Sequence, residues 1–282
     1  LFRQVQRDIP VKTNVLIRPR FGDFLYSKEE LEQMCEEIRM YRDLGANGVV
    51  IGALTPDGDL DMESMRRMMD CAGGLDVTLI GLDSGTDRFD NLTLTVGSGT
   101  KLTLQDVRIT GDRTLLSLAG KNTLTLLGRN ELIGCADASG NACPTISCGG
   151  DLTICGSGSL ALQALVNNAA FLGAEKSKIS IEDCTLTLLK SDKLGFDGGA
   201  FCANGASVTM TNTVFSGRTD SDHVAVLSAD TVEMTGCTVR VEAEKAVQAI
   251  RGQISLTDCS LYASGHSGNS NKTAAQTSGL DA

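Results

Sequence analysis

Cysteines, a pair of arginines and a set of loop aspartates are the side chains in this 282-residue chain that could carry chemistry. There are ten cysteines but only two histidines, His223 and His266, and no cysteine pair with CxxC spacing. Those ligands do not make a zinc site. Cys35 and Cys71 fall in segments with helical periodicity. A soft metal needs two or three converging sulfurs, and the spacing supplies none nearby, so both read as core thiols. The metal assignment therefore stays unknown. Cys184, Cys237 and Cys259 sit at the same place in three repeated segments, where other copies carry Val107 or Thr213. A place that accepts Cys, Val or Thr reads as a small buried position, which predicts free thiols there. Cys148 and Cys155 could approach within one turn of the repeat, and that pair stays open. Asp192, Asp197, Asp220 and Asp222 lie in loops between strands. Spacing alone assigns none of them an acid or base role, and they read as solvated turn residues. The sequence assigns no catalytic residue, and these remain unknown.

The elements that would position these groups change character near residue 80. Before it, strands alternate with helices. Thr13-Asn14-Val15-Leu16-Ile17 is an apolar strand, and Ser27 with Glu30 has the pattern of a capping box. Leu31, Met34, Ile38 and Tyr41 follow at helical spacing, with Gly45 placed to end the helix. Gly48-Val49-Val50-Ile51-Gly52 is a second strand. Asp61 caps a helix carrying Met65, Met68 and Met69 that stops at Gly73-Gly74, and Val77-Thr78-Leu79-Ile80 opens a third strand. This βαβαβ order predicts parallel strands joined by right-handed crossovers.

The run Val15-Leu16-Ile17-Arg18-Pro19-Arg20-Phe21-Gly22-Asp23-Phe24-Leu25-Tyr26-Ser27 is similar to the signature of the CutC family. Members are cytoplasmic TIM-barrel proteins linked to copper homeostasis. Leu44-Gly45-Ala46-Asn47-Gly48-Val49-Val50 and Leu54-Thr55-Pro56-Asp57-Gly58 resemble the family's next strand and loop. The resemblance covers about 80 residues. The family's first strand would precede Leu1, and after Val77-Thr78 the sequence departs into Leu79-Ile80-Gly81-Leu82-Asp83. A barrel of this kind needs about 250 residues to close, so the segment is read as a partial TIM barrel. The resemblance implies that Arg18, Arg20, Asp23 and Thr55 lie at strand C-terminal ends, as ligand-binding residues in a whole barrel. It also implies copper as a cofactor and a cytoplasmic location. In a fragment, the two arginines read instead as surface or ion-paired cations.

Beyond Asp90 the hydrophobic period becomes two. Similar segments begin at Leu102, Ile179, Val208, Val232 and Ile254, with looser copies beginning at Leu124 and Leu152. A second short strand precedes most copies, as in Thr145–Cys148, Ala170–Leu172, Ala200–Cys202, Ala225–Leu227 and Val247–Ile250. Turns such as Glu182-Asp183 and Thr235-Gly236 bend the chain. Repeats this thin cannot bury their own apolar face, which predicts a stacked solenoid. The pattern resembles right-handed parallel β-helix domains of carbohydrate-binding type in exported bacterial proteins. That resemblance implies a carbohydrate partner and a cell-surface or secreted location. Aromatics that could stack on sugars are few beyond residue 90, among them Phe196, Phe201, Phe215 and Tyr262, with Phe201 and Phe215 at inward positions.

The expected organisation is an α/β fragment over residues 1–80, an all-β right-handed parallel β-helix over 81–265, and a disordered tail over 266–282. A net charge of −10 argues against nucleic acid or an anionic membrane surface. No apolar run reaches the roughly 18 residues of a membrane span. The functional expectation is a CutC-like copper-homeostasis fragment fused to a noncatalytic carbohydrate-binding or surface β-helix. The alternatives are a β-helix polysaccharide-active enzyme or adhesin, or a fusion with no function as a unit.

Overall fold

The structure is a computed structural model and describes residues 2–9, 11–58, 60–73, 75–80, 89–134, 143–164, 169–189, 200–219, 225–243, 245–264 and 273–277. The chain divides into two compact units: Leu1–Thr78 with Thr100–Leu102, and Leu79–Gly99 with Thr103–Ala282.

The first unit runs α1 (Phe2–Asp8), β1 (Asn14–Leu16), α2 (Lys28–Asp43), β2 (Gly48–Val50), α3 (Met62–Ala72) and β3 (Asp76–Ile80). The strands are parallel, with Asn14 opposite Gly48, Leu16 opposite Val50, and Gly48 opposite Asp76. The capping box forms as its residues predict. The Ser27 hydroxyl accepts from the Glu30 amide at 3.3 Å, and the Glu30 carboxylate accepts from the Ser27 amide at 2.8 Å. At the other end, Gly45 takes a positive φ of 82° just past the Leu44 cap, which a residue with a Cβ adopts only under strain. Leu31, Met34 and Ile38 are buried as their spacing implies, and they meet Met68 and Cys71 of α3 beneath Ile17 and Val49. Helix α1 has no counterpart in the sequence reading. Its Phe2 ring packs edge-on against Tyr41 at 5.3 Å.

The second unit is a parallel β-solenoid with three faces. The first face stacks Leu94–Val96, Leu116–Leu118, Ile146–Cys148 and Phe171–Gly173, followed by the opening residues of the long strands Phe201–Thr211 and Leu227–Thr235, then Lys245–Ala249. The second face stacks Asn122–Leu127, Leu152–Cys155 and Lys178–Glu182, then the later halves of the same two long strands, then Ile254–Thr257. The third face runs from Phe89–Asp90 through Arg108–Gly111, Arg129–Gly134, Ser159–Ala164, Thr185–Leu188, Val214–Arg218 and Thr238–Glu242 to Ser260–Ser264. Within the segment expected to be a disordered tail, Thr273–Thr277 forms a strand paired in parallel with Lys245–Ala249.

Inward side chains form columns. On the first face Leu94, Leu116, Ile146, Phe171, Phe201, Leu227 and Val247 lie one above another. The Phe171 and Phe201 rings stack at 4.0 Å, and both are fully buried. Burial of each such side chain contributes about 1.5–3 kcal/mol, so the columns are what hold the coils together. Where coils approach closely, only glycine fits: a Cβ on Gly150 would lie 2.6 Å from the Gly120 backbone. Corners are set by residues with positive φ, among them Asp106, Asp183, Asn212, Gly236 and Asp258, with Asn212 donating to the Asp183 carboxylate at 3.1 Å.

Two details of the expected register are corrected. Leu152 stacks on Asn122, and Ile154 on Leu124, so the copies read as starting at Leu124 and Leu152 are offset by two residues. The cause is a buried polar residue in an inward column. Asn122 is 4% exposed and its amide donates to the Ala119 carbonyl at 2.9 Å. Likewise, Val107 does not share a column with Cys184. The pairing of Arg108 with Glu131 puts Val107 level with Asn130, which pairs with Leu160 and through it with Leu186. Asn130 holds that place because its amide group is satisfied on three sides. It accepts from Val107 N–H at 3.0 Å and donates to the Leu127 and Ser159 carbonyls at 3.0 and 3.1 Å.

Candidate functional site

The loops leaving the C-terminal ends of β1 and β2 carry Arg18, Arg20, Asp23 and Thr55. Leu54 N–H donates to the Phe24 carbonyl at 2.9 Å, which ties the two loops together. Arg18 donates to the Gly22 carbonyl at 2.6 Å and lies 4.7 Å over the Phe24 ring. Its Nε is buried without a hydrogen-bond partner among the described residues. Arg20 faces inward to acids. Its Nε donates to Glu30 at 2.7 Å, its Nη2 pairs with Asp23 at 2.9 Å and donates to the Leu25 carbonyl at 2.6 Å, and the guanidinium lies 5.4 Å over the Tyr26 ring. Glu30 and then Asp23 hold the Arg20 pKa above its ordinary value. Arg20, followed by the Leu25 amide, holds Asp23 below the usual carboxylate range. For Glu30 the Ser27 amide is the larger cause and Arg20 the second. Thr55 follows β2 in a turn where its carbonyl accepts from Gly58 N–H at 2.9 Å. The cluster joins the signature loop to the cap of α2 through Arg20.

The packing of α2 on α3 brings Cys35 and Cys71 together, 36 positions apart in the chain. Both lie in the same buried cluster, and burial, followed by the neighbouring Cys71 thiol, pushes Cys35 up to about 11. Arg67 of α3 pairs with Glu32 of α2 at 2.6 Å beside them. The separation in sequence hides this contact, because it depends on how the helices pack. Among the described residues no group of three or more His, Cys, Asp or Glu could hold a metal ion.

In the solenoid every described cysteine is a free thiol, Cys148 and Cys155 included. Cys184, Thr213, Cys237 and Cys259 form one column, as the pairing of the residues that follow them requires: Thr185, Val214, Thr238 and Ser260. Its chemistry is more specific than smallness. The Thr213 hydroxyl donates toward the Thr211 carbonyl at 2.9 Å, the Cys237 thiol to Thr235 at 3.4 Å, and the Cys259 thiol to Thr257 at 3.2 Å. The column thus selects a short side chain with an X–H donor aimed at the carbonyl two residues back, which valine lacks. Burial is the largest cause that pushes Cys184 up to about 11.

Phe171, Phe201 and Phe215 are buried in the columns, whereas Tyr262 is 60% exposed on the third face. Arg240, its ladder neighbour, lies 5.6 Å over the Tyr262 ring, and Arg218 pairs with Glu242 at 3.3 Å on the adjoining column. The second face presents two outward columns rich in hydroxyls: Thr123, Thr153, Ser180, Thr209, Glu233 and Ser255, and beside them Thr125, Cys155, Glu182, Thr211, Thr235 and Thr257. Asp192, Asp197, Asp220 and Asp222 lie outside the described residues, as do His223, His266 and Phe196. No helix is long and apolar enough to cross a membrane among the described residues.

These features define a chain of two classes, a short parallel α/β unit with a polar loop at its strand ends and a parallel β-solenoid. Residues 1–114 match the model of the CutC family. The chain is 50% identical over 70 residues to the family protein CutC of Porphyromonas gingivalis, which is 25% of this chain and 28% of that protein. It is 46% identical over 78 residues to the family protein CutC of Salmonella paratyphi A (28% and 32%) and to that of Salmonella typhi (28% and 30%). The chain therefore spans about a third or less of the length of these curated relatives. No solved structure matches it.

Proposed function

We propose that the chain is a noncatalytic binding protein whose solenoid takes carbohydrate on its third face, near Tyr262. The observation that carries this reading is the exposed Tyr262 ring with Arg240 over it and the Arg218–Glu242 pair alongside. An exposed aromatic ring offers an apolar face to a sugar ring, and charged groups beside it can bond the hydroxyls. A glycan array with the full chain tests the reading, and Tyr262→Ala should remove whatever signal the parent gives. Absence of glycan binding by the parent, or equal binding by the variant, overturns it.

The CutC similarity and the Cys35–Cys71 contact favour a second reading, in which the first unit handles copper as cargo. Two thiols in contact suit a soft monovalent ion with two ligands, and they do not make a site of higher coordination. Burial opposes the thiolate form that such an ion needs, as the raised Cys35 pKa expresses. Copper(I) competition with a chromophoric chelator tests this reading. Retention by the parent and loss in Cys35→Ser supports it, and equal retention by both discards it.

A further inference from the structure

We propose that Cys237 and Cys259 form an oxidative clasp that joins the last two rungs of the cysteine–threonine column. Thr238 pairs with Ser260, so the residues just before them, Cys237 and Cys259, occupy adjacent rungs of one column. Adjacent strands lie roughly 4.8 Å apart, which falls inside the Cα separation of about 4.4–6.8 Å that a disulfide spans. The Cys237 amide already contacts the Cys259 sulfur at 3.4 Å. In the same column Thr213 separates Cys184 from Cys237, so only the last two rungs can be bridged.

The two thiols differ in access. Cys237 is 1% exposed and burial holds its pKa above the ordinary thiol value, whereas Cys259 is partly open to solvent. Reaction with an oxidant therefore begins at Cys259, and Cys237 completes the bond. With an azo oxidant such as diamide, two S–H bonds break and one S–S bond forms. The two protons and two electrons reduce the N=N bond to a hydrazine. The product carries no charge, so it suits the interior better than a thiolate. The bond forgoes only two weak S–H donations, to Thr235 and Thr257.

The place of the clasp matters. Burial fades along residues 254–264, where Leu256 of the inward column is 41% exposed and Ile254 is only partly covered. On the second and third faces these strands have a neighbour on one side only among the described residues, and such an end opens first. A covalent link to the preceding rung would hold it, together with Tyr262 on the same coil. The clasp does not depend on the carbohydrate reading, because its test reads covalent mass alone.

The full chain is treated with diamide under native conditions, alkylated, digested with trypsin and analysed by mass spectrometry. The expected product is residues 219–240 joined to residues 252–272, two mass units below the sum of the reduced peptides and released by dithiothreitol. Slower amide exchange over residues 254–264 in the oxidised chain is expected with it. Cys259→Ser keeps a donor toward Thr257 and should abolish both effects while leaving the fold intact. Separate alkylation of both cysteines after oxidation, or unchanged exchange once the bond has formed, overturns the proposal.

Discussion

In the α/β unit, polar side chains of different elements hold one another: Arg20 joins the signature loop to Glu30 in α2, and Arg67 joins α3 to Glu32. In the solenoid, each residue meets its equivalent one coil away, as phenylalanine on phenylalanine in Phe171 and Phe201, or asparagine on aspartate in Asn212 and Asp183. The first arrangement needs particular partners brought from distant positions. The second needs only that the same kind of residue recur in register. A change in the first should therefore act on the whole small unit, while a change in the second should act on neighbouring coils and weaken with distance.

The sharpest way to break this contrast is a core truncation in the solenoid. Phe201→Ala removes a fully buried ring and should cost about 3–5 kcal/mol, read by denaturant unfolding. Exchange should rise most in the strands at Phe171 and Leu227; a uniform rise over the whole solenoid would refute nearest-neighbour behaviour. Next in size, Thr213→Val keeps the volume but removes the donor from the cysteine–threonine column, for an expected loss of about 1–2 kcal/mol. Thr213→Cys should be close to neutral. If valine is as stable as cysteine there, the column selects size and not a hydrogen bond. In the α/β unit, Ser27→Ala deletes the cap of α2 and should cost about 1 kcal/mol, measured by chemical denaturation with a probe in that unit.

The smallest effect expected is a pH response at the same cap. Glu30 and Asp23 are held below their ordinary values, so their contribution is present at neutral pH and is lost as pH falls through and below the usual carboxylate range. Acid titration followed by amide exchange at α2 should show loosening there that Glu30→Gln removes. Loosening centred on neutral pH would contradict the assigned cause.

The capping box, the helix stop at Gly45 and the inward columns were legible because each is encoded by residues close in sequence or by a strict alternation. Register was legible only in part, and the reason is geometric. A slip of one residue turns every side chain to the wrong face, whereas a slip of two keeps all of them inward and leaves the alternation unchanged. The copies at Leu124 and Leu152 are offset by just such a slip, hidden further by asparagines in inward places. Corner residues with positive φ carry the missing information, since Asp106, Asp183, Asn212, Gly236 and Asp258 mark the turns. Of the candidate site residues, Arg18, Arg20 and Asp23 do share one loop, and the Phe24–Leu54 hydrogen bond ties that loop to the one carrying Thr55. The contact of Cys35 with Cys71 was not legible, because helix packing, and no sequence spacing, creates it.

The parallel stacking also bears on how the solenoid is assembled. Every rung joins residues separated by a full coil, 20 positions from Phe89 to Ile109 and 30 from Asn122 to Leu152. Among the described residues of the solenoid no tight hairpin offers a quick first contact, so the slow event is closing one loop of that length onto another. Once two coils have met, each later coil lands on a finished template. Growth then proceeds like a filament lengthening from its tip, and a chain halted midway should keep an ordered stub.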